Sequence, residues 1–81
     1  MTVRYFAAAA HAAGLAQEVV ELAPESTLAD LVDELVTRHG DRLDQVLERS
    51  SLLVDEVVGR DRAARLPASA TIDVLPPFAG G

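Results

Sequence analysis

The sequence contains no cysteine, and this absence narrows the chemistry that the chain can carry out. Disulfide bonds, thiolate-ligated metals, iron–sulfur clusters and a cysteine nucleophile are all excluded. Any sulfur chemistry must therefore be carried by another atom. Lysine is absent as well, and all seven basic side chains are arginines, which we interpret first as a bias of composition toward alanine and arginine.

Long hydrophobic runs are also missing, since no apolar run approaches the ~18 residues that a membrane span requires. Arg4 interrupts the first apolar stretch, so no signal peptide is expected and the predicted location is the cytoplasm. The net charge of −6 disfavours nucleic acid as a partner and favours a basic protein. With 81 residues, of which 49% are hydrophobic, the chain is predicted to form one globular domain.

Short β-branched segments open the chain and predict two strands. The first is Thr2 to Ala7, in which Val3 and Tyr5 alternate with Thr2, Arg4 and Phe6, and the second is 17–22. Between them, the alanine-rich segment 8–13 and the glycine after it suit one or two helical turns.

The strongest periodic signal predicts the main helix between Thr27 and Gly40. Its apolar residues recur at spacings of three and four and form one stripe, made of Leu28, Leu31, Val32, Leu35 and Val36. Thr27 is predicted to cap the first turn, and Gly40 is predicted to close the helix in the left-handed conformation. A shorter helix is predicted to follow from Asp41 until the pair Ser50-Ser51.

Three further strands are predicted in the second half, at 52–55, near 63–66 and at 71–75. In the last strand Ile72 and Val74 face one side, and we assign that side to the core because it includes no polar residue. The resulting order is β-β-α-β-β-β with a short extra helix. It indicates an α+β fold in which the main helix packs on a sheet.

The ending PPFAGG, residues 76–81, carries the functional signal. Pro76 and Pro77 cannot donate to a sheet ladder, so they are predicted to end the last strand and to direct the following residues outward. Gly80 and Gly81 have no side chains, which would let the terminal carboxylate pass through a channel too narrow for other residues. That carboxylate is ionised at neutral pH, but it is able to attack the α-phosphate of ATP if a partner holds both.

The opening VRYFAAAA at Val3, the capped leucine-rich helix and the ending TIDVLPPFAGG together resemble the small subunit of molybdopterin synthase. The resemblance spans essentially the whole chain. It implies a β-grasp, ubiquitin-like fold with a mixed sheet, in which the first and last strands lie side by side and parallel. Asp55, where relatives often have asparagine, and the turn 68–70 depart from the family pattern.

The resemblance also implies a sulfur carrier that is not itself an enzyme. An ATP-dependent activating enzyme would adenylate Gly81, and a sulfur donor would convert the adenylate into a thiocarboxylate. The large synthase subunit would then receive the tail and transfer its sulfur to a pterin precursor, in an assembly with two copies of this chain. No bound cofactor is implied, since the activating enzyme uses the ATP.

An apolar surface is predicted beside the tail if Phe6 and Leu75 both point away from the main helix, with Arg4 in its polar rim. The alternative, that the register is slipped by one residue and these side chains join the core, stays open. The predicted partner-binding residues are Phe6, Leu75, Pro76, Pro77, Phe78 and Ala79. The domain is expected to comprise residues 1–75, with 76–81 as an extended tail.

No metal site is predicted, because His11 and His39 lack metal-ligand spacing, and structural roles are expected for both. Three other functions stay open: sulfur delivery to the thiazole of thiamine or another pathway, a protein modifier attached through Gly81, and a binding domain whose tail has no role. The lack of lysine excludes side-chain-linked polymers of the carrier itself, which disfavours a chain-building modifier.

Overall fold

The alternating and helical patterns of the sequence build one mixed sheet with three helices in residues 1–77, the part of the chain that this computed structural model describes. The elements are β1 (Thr2–Tyr5), α1 (Ala8–Ala13), β2 (Gln17–Val19), α2 (Leu28–His39), α3 (Asp41–Arg49), β3 (Ser51–Val54), β4 (Val57–Val58) and β5 (Thr71–Leu75). The strands lie in the order β2-β1-β5-β3-β4. β1 and β5 are parallel, and the other neighbouring pairs are antiparallel. The expected α+β, β-grasp fold is confirmed.

α2 begins as the sequence predicts. The Thr27 hydroxyl accepts a hydrogen bond from the Asp30 amide at 3.2 Å, and the Asp30 carboxylate accepts one from the Thr27 amide at 2.8 Å. This reciprocal capping box satisfies two amides that have no partner within the helix. At the other end Gly40 has the predicted positive φ of 85°, but its ψ of −166° lies outside the left-handed helical region. The reason is that Gly40 is also the N-cap of α3, and its carbonyl accepts a hydrogen bond from the Asp44 amide.

The core lies between one face of the sheet and the helices. Leu28, Leu31 and Leu35 of α2 are each 1% exposed, as the apolar stripe predicts. Leu43 and Leu47 of α3 are buried beside them. The sheet contributes the predicted pair of β5 and the matching residues of β1, namely Ile72, Val74, Val3 and Tyr5. Because these residues of β1 and β5 face the helices, the residues that alternate with them lie on the opposite face of the sheet.

The fourth strand was predicted at the wrong place. The segment near 63–66 forms only an isolated bridge, between Thr27 and Arg65, and the strand that pairs with β3 is Val57–Val58. A two-residue turn joins β3 to β4, and its residues Asp55 and Glu56 have φ values of 48° and 71°. Such turns favour glycine or asparagine, so this pair gives little sequence signal for a hairpin.

Two predicted strands are longer than the observed ones. β1 ends at Tyr5 instead of Ala7, because Ala7 has a φ of 49° and the chain turns there into α1. β2 ends at Val19 instead of Leu22. The predicted helices at 8–13 and after Asp41 are both present.

Candidate functional site

β5, the strand that leads into the tail, lies in the middle of the sheet. It pairs in parallel with β1 from Thr71 to Val74, and in antiparallel register with β3 until Leu75, which lies opposite Ser51. Hydrogen bonds on both sides hold a central strand more firmly than an edge strand. The chain therefore leaves the sheet from a well-fixed position.

The two prolines follow directly after β5. Pro76 is half-buried and Pro77 is exposed. Neither has an amide hydrogen to continue the ladder, so the strand ends where the sequence predicts. The remaining predicted site residues lie outside the described residues, and they are Phe78, Ala79, Gly80 and Gly81.

Phe6 and Leu75 lie at the same end of neighbouring strands. Phe6 follows β1, its amide donates to the Val74 carbonyl at 3.2 Å, and its side chain is 41% exposed. Leu75 is half-buried and alternates with the core residue Val74, so it lies on the sheet face turned away from the helices. The structure thus brings two of the predicted partner-binding residues together at the root of the tail.

An ion pair joins β1 to β5 on that outer face. The Arg4 guanidinium donates to both carboxylate oxygens of Asp73, from Nε at 2.5 Å and from Nη2 at 2.8 Å. Only 10% of the Asp73 side chain is exposed, whereas the Arg4 side chain is 42% exposed. The hydrogen bond and the charge of Asp73 raise the pKa of Arg4 above its already high ordinary value. Arg4 was predicted to lie in the polar rim of the apolar surface. In the structure it lies beside β5, where its guanidinium shields the Asp73 carboxylate from solvent.

A second polar cluster, which the sequence reasoning missed, lies at the end of α2. Its centre is the Glu18 carboxylate, which accepts from the Tyr5 hydroxyl at 2.5 Å and from Arg38 at 3.1 Å and is 2.5 Å from His39 Nε2. The Tyr5 and His39 rings meet edge to face with centroids 5.9 Å apart. The partners come from β1, β2 and α2, so no local pattern signals them.

Electrostatics in this cluster favour the charged form of Glu18. Burial alone would raise its pKa, but hydrogen bonds from Tyr5, His39 and Arg38 outweigh burial and lower it. Burial, together with the hydrogen bond to Glu18, raises the pKa of Tyr5 far above its ordinary value. Both groups are thus held in their ordinary states at neutral pH, and His39 has the structural role expected of it.

Asp55, which departs from the family pattern, has a structural role. Asp55 accepts a hydrogen bond from the Thr71 amide at 2.9 Å and so ties the β3–β4 turn to the start of β5. Among residues 1–77 no group of three or more histidine, aspartate or glutamate side chains is placed to hold a metal. None of the helices in that range has the length and apolar character needed to cross a bilayer.

The comparisons with known proteins agree with this geometry. A family model described as "ThiS family" matches residues 3–81, so the match includes the tail. The chain therefore belongs to the ThiS family of ubiquitin-like sulfur carriers. Members of this family act as carriers and are not catalysts themselves. No curated protein matches the chain significantly.

Several solved structures share the fold at low sequence identity. A protein from Pyrococcus furiosus assigned as molybdopterin converting factor, subunit 1, is 23% identical with a TM-score of 0.80, and the match covers 95% of each chain. SAMP1 from Haloferax volcanii is 23% identical with a TM-score of 0.86, over 99% of this chain and 97% of the other. Small archaeal modifier protein 1 from H. volcanii is 21% identical with a TM-score of 0.82, over 95% of each chain. The resemblance seen in the sequence is thus confirmed at the level of family and fold.

Proposed function

We propose that this chain is the sulfur carrier of molybdenum cofactor biosynthesis, with the terminal carboxyl of Gly81 as its working group. The observation that carries the proposal is the position of β5, a central strand that ends at a proline pair four residues before that carboxyl. Residues 1–75 then serve as a rigid body, and 76–81 serve as the segment that a partner takes up. The pathway uses ATP and is assigned to the cytoplasm.

The proposed chemistry begins in an ATP-dependent activating enzyme. A carboxylate oxygen of Gly81 bonds to the α-phosphorus of ATP, and pyrophosphate leaves. A persulfide sulfur donor then attacks the acyl carbon of this adenylate through its terminal sulfur, and AMP leaves. A thiol next attacks the donor sulfur of the resulting acyl disulfide, which releases the thiocarboxylate and leaves the thiol and the donor joined as a disulfide. The thiocarboxylate supplies nucleophilic sulfur on a chain that has no cysteine.

In the second stage the large subunit of molybdopterin synthase takes up the tail. The terminal sulfur bonds to a carbon of the pterin precursor and displaces an oxygen substituent from that carbon. Water then hydrolyses the acyl–sulfur bond, which leaves the sulfur on the pterin and restores the Gly81 carboxylate. Gly80 and Gly81 fit a narrow channel because they lack side chains. Phe6, Leu75 and Pro76 at the tail root, together with 77–79, are proposed to contact the partner.

A protein modifier is the second candidate, and the likeness to small archaeal modifier protein 1 favours it. The same activated Gly81 would then bond to a lysine amine of a target protein instead of accepting sulfur. Sulfur delivery to the thiazole of thiamine or another pathway is a third outcome of the same activation step. The three candidates differ only in what attacks the activated carboxyl and in where the sulfur goes.

Reconstitution with chosen partners distinguishes these functions. The chain is prepared with a C-terminal thiocarboxylate and mixed with a molybdopterin synthase large subunit and the pterin precursor, and the dithiolene product is measured. We expect one dithiolene for every two thiocarboxylates consumed and none from the unmodified carboxylate, which is the matched control. If no dithiolene forms in this reaction but thiazole forms in a thiazole-synthesis assay, the proposed pathway is wrong. If the chain is instead found linked to lysines of other proteins in cells, it is a protein modifier.

A further inference from the structure

An open groove of about 620 Å³ lies between α1 and α3. Its polar lining consists of His11 from α1 and of Arg42, Gln45 and Arg49 from α3. Among the described residues, no aspartate or glutamate lines it. In a chain of net charge −6, a groove with two guanidinium groups and no carboxylate is a local reversal of charge.

α3 separates its charged residues by face. Successive helical residues are rotated by about 100°, so positions 42, 45 and 49 share the side that lines the groove. The two leucines of α3 face the core. The acidic residues fall on a third side, and they are Asp41, Asp44 and Glu48. The positive character of the groove is therefore not cancelled by its own helix.

The groove arginines differ from the paired arginines of the chain. Three arginines form ion pairs with carboxylates, namely Arg4, Arg38 and Arg65. Arg42 and Arg49 pair with no carboxylate of residues 1–77. A guanidinium presents a planar fork of donors that fits a carboxylate in bidentate geometry. The groove is thus suited to an acidic ligand.

The groove also adjoins the root of the tail. Ala7 and Ala8, which follow β1, form part of its lining, and β1 runs parallel to β5. On the other side α3 leads directly into β3, whose first residue Ser51 lies opposite Leu75. A partner that takes up the chain beyond Pro77 therefore approaches this groove as well.

We propose that the groove docks an extended acidic segment of the activating enzyme that adenylates Gly81, an inference that rests on the proposed function. Arg42 and Arg49 are seven residues apart on a helix, which separates them by about 10 Å along the axis. Two acidic residues three positions apart in an extended polyproline II segment lie on the same side of it and are separated by about 9 Å. The expected ligand is thus a polyproline II segment with two carboxylates at that spacing.

The activating enzyme fits this surface better than the large subunit does. The carrier must find the activating enzyme anew in every cycle and leave it after one activation step, and contacts between exposed charges speed encounter while keeping the complex reversible. The apolar surface of Phe6 and Leu75, on the sheet side of the tail root, is suited to a longer-lived complex with the large subunit. The two sides of the tail root thus have different chemistry for two different partners.

Charge reversal with a matched control tests the proposal. The double variant R42E/R49E is compared with R60E/R62E, which makes the same charge change at exposed residues between β4 and β5. Pyrophosphate release by the purified activating enzyme is measured at saturating ATP while the carrier concentration is varied, and then at saturating carrier while the ATP concentration is varied. We expect the KM for the carrier to rise about tenfold in R42E/R49E with kcat little changed, and to rise less than about twofold in R60E/R62E. The difference shrinks as salt is added.

Each other outcome overturns the inference in a recognisable way. An equal KM for the two variants shows that only net charge matters, and a lower KM for R42E/R49E shows that the groove holds the chain's own terminal carboxylate. A change in the KM for ATP alone shows a phosphate site instead. If the wild-type chain is not adenylated, the proposed function fails together with the inference, whereas adenylation with an unchanged carrier KM refutes the groove alone. If thermal unfolding shows that R42E/R49E is unfolded, R42Q/R49Q replaces it, with R60Q/R62Q as its control, under the same criteria.

Discussion

Replacing Glu18 with glutamine removes the charge from the centre of the buried polar cluster while keeping the shape of the side chain. The glutamine oxygen still accepts from Tyr5, but the charge-assisted contacts to Arg38 and His39 are lost or reversed. A hydrogen bond to a charged group contributes about 1 kcal/mol more than a neutral one. With three partners, and a discount for Arg38 because its side chain is 35% exposed, we expect a loss of about 2 kcal/mol.

The pH dependence of this loss has a definite sign. The folded state lowers the pKa of Glu18, so the unfolded state binds the proton more tightly. The stabilisation is therefore fully present above the unfolded value of about 4.3 and is lost as pH falls through the lower folded value. The stability difference between wild type and E18Q should be about 2 kcal/mol at neutral pH and should shrink below about pH 4.

Thermal and urea unfolding measure this difference, with E21Q as the control. Glu21 is exposed and its replacement makes the same charge change. For a chain of this size, a loss of about 2 kcal/mol lowers the Tm by about 8 to 15 °C. If E18Q unfolds at the same temperature as E21Q, or if the gap between them widens on acidification, the assignment of Glu18 as a stabilising charged centre is wrong.

Two further substitutions test other parts of the fold. T27A removes the hydroxyl that caps α2 and should lower stability by about 1 kcal/mol, whereas T27S should retain most of it, as urea midpoints will show. D73N removes the charge that pairs with Arg4 and should lower stability by about 1 kcal/mol. An R4Q/D73N double-mutant cycle with a coupling energy near zero would contradict a cooperative pair between β1 and β5.

The sequence was sufficient for the helices and for the two faces of β5. The leucine stripe and Thr27 predict α2 because helical periodicity and capping are local properties of a short segment. Alternation in 71–75 predicts which residues of β5 enter the core, since the only apolar side without a polar member is Ile72 with Val74. The tail was recognisable from its composition, because a proline pair and a glycine pair constrain the backbone wherever they occur.

The remaining features depend on contacts between distant segments. Glu18 meets Tyr5 and His39 only after β1, β2 and α2 have assembled. The groove also depends on two elements. The spacing of Arg42 and Arg49 predicts that they share one face of α3, but this face lines a groove only because α1 packs beside it. The fourth strand was misplaced because pairing with β3 selected Val57–Val58 after a turn that lacks glycine, overriding the local preference of the later segment.

The central claim is that the Gly81 carboxyl becomes a thiocarboxylate, and intact-protein mass spectrometry tests it most directly. The chain is incubated with ATP, an activating enzyme and a sulfur donor, beside a variant with a tryptophan appended after Gly81. The account predicts a mass increase equal to the replacement of one oxygen by sulfur in the native chain, located in its C-terminal peptide, and none in the extended variant. An unchanged native mass in a reaction that thiocarboxylates a known carrier, or an equal shift in the extended variant, would contradict it.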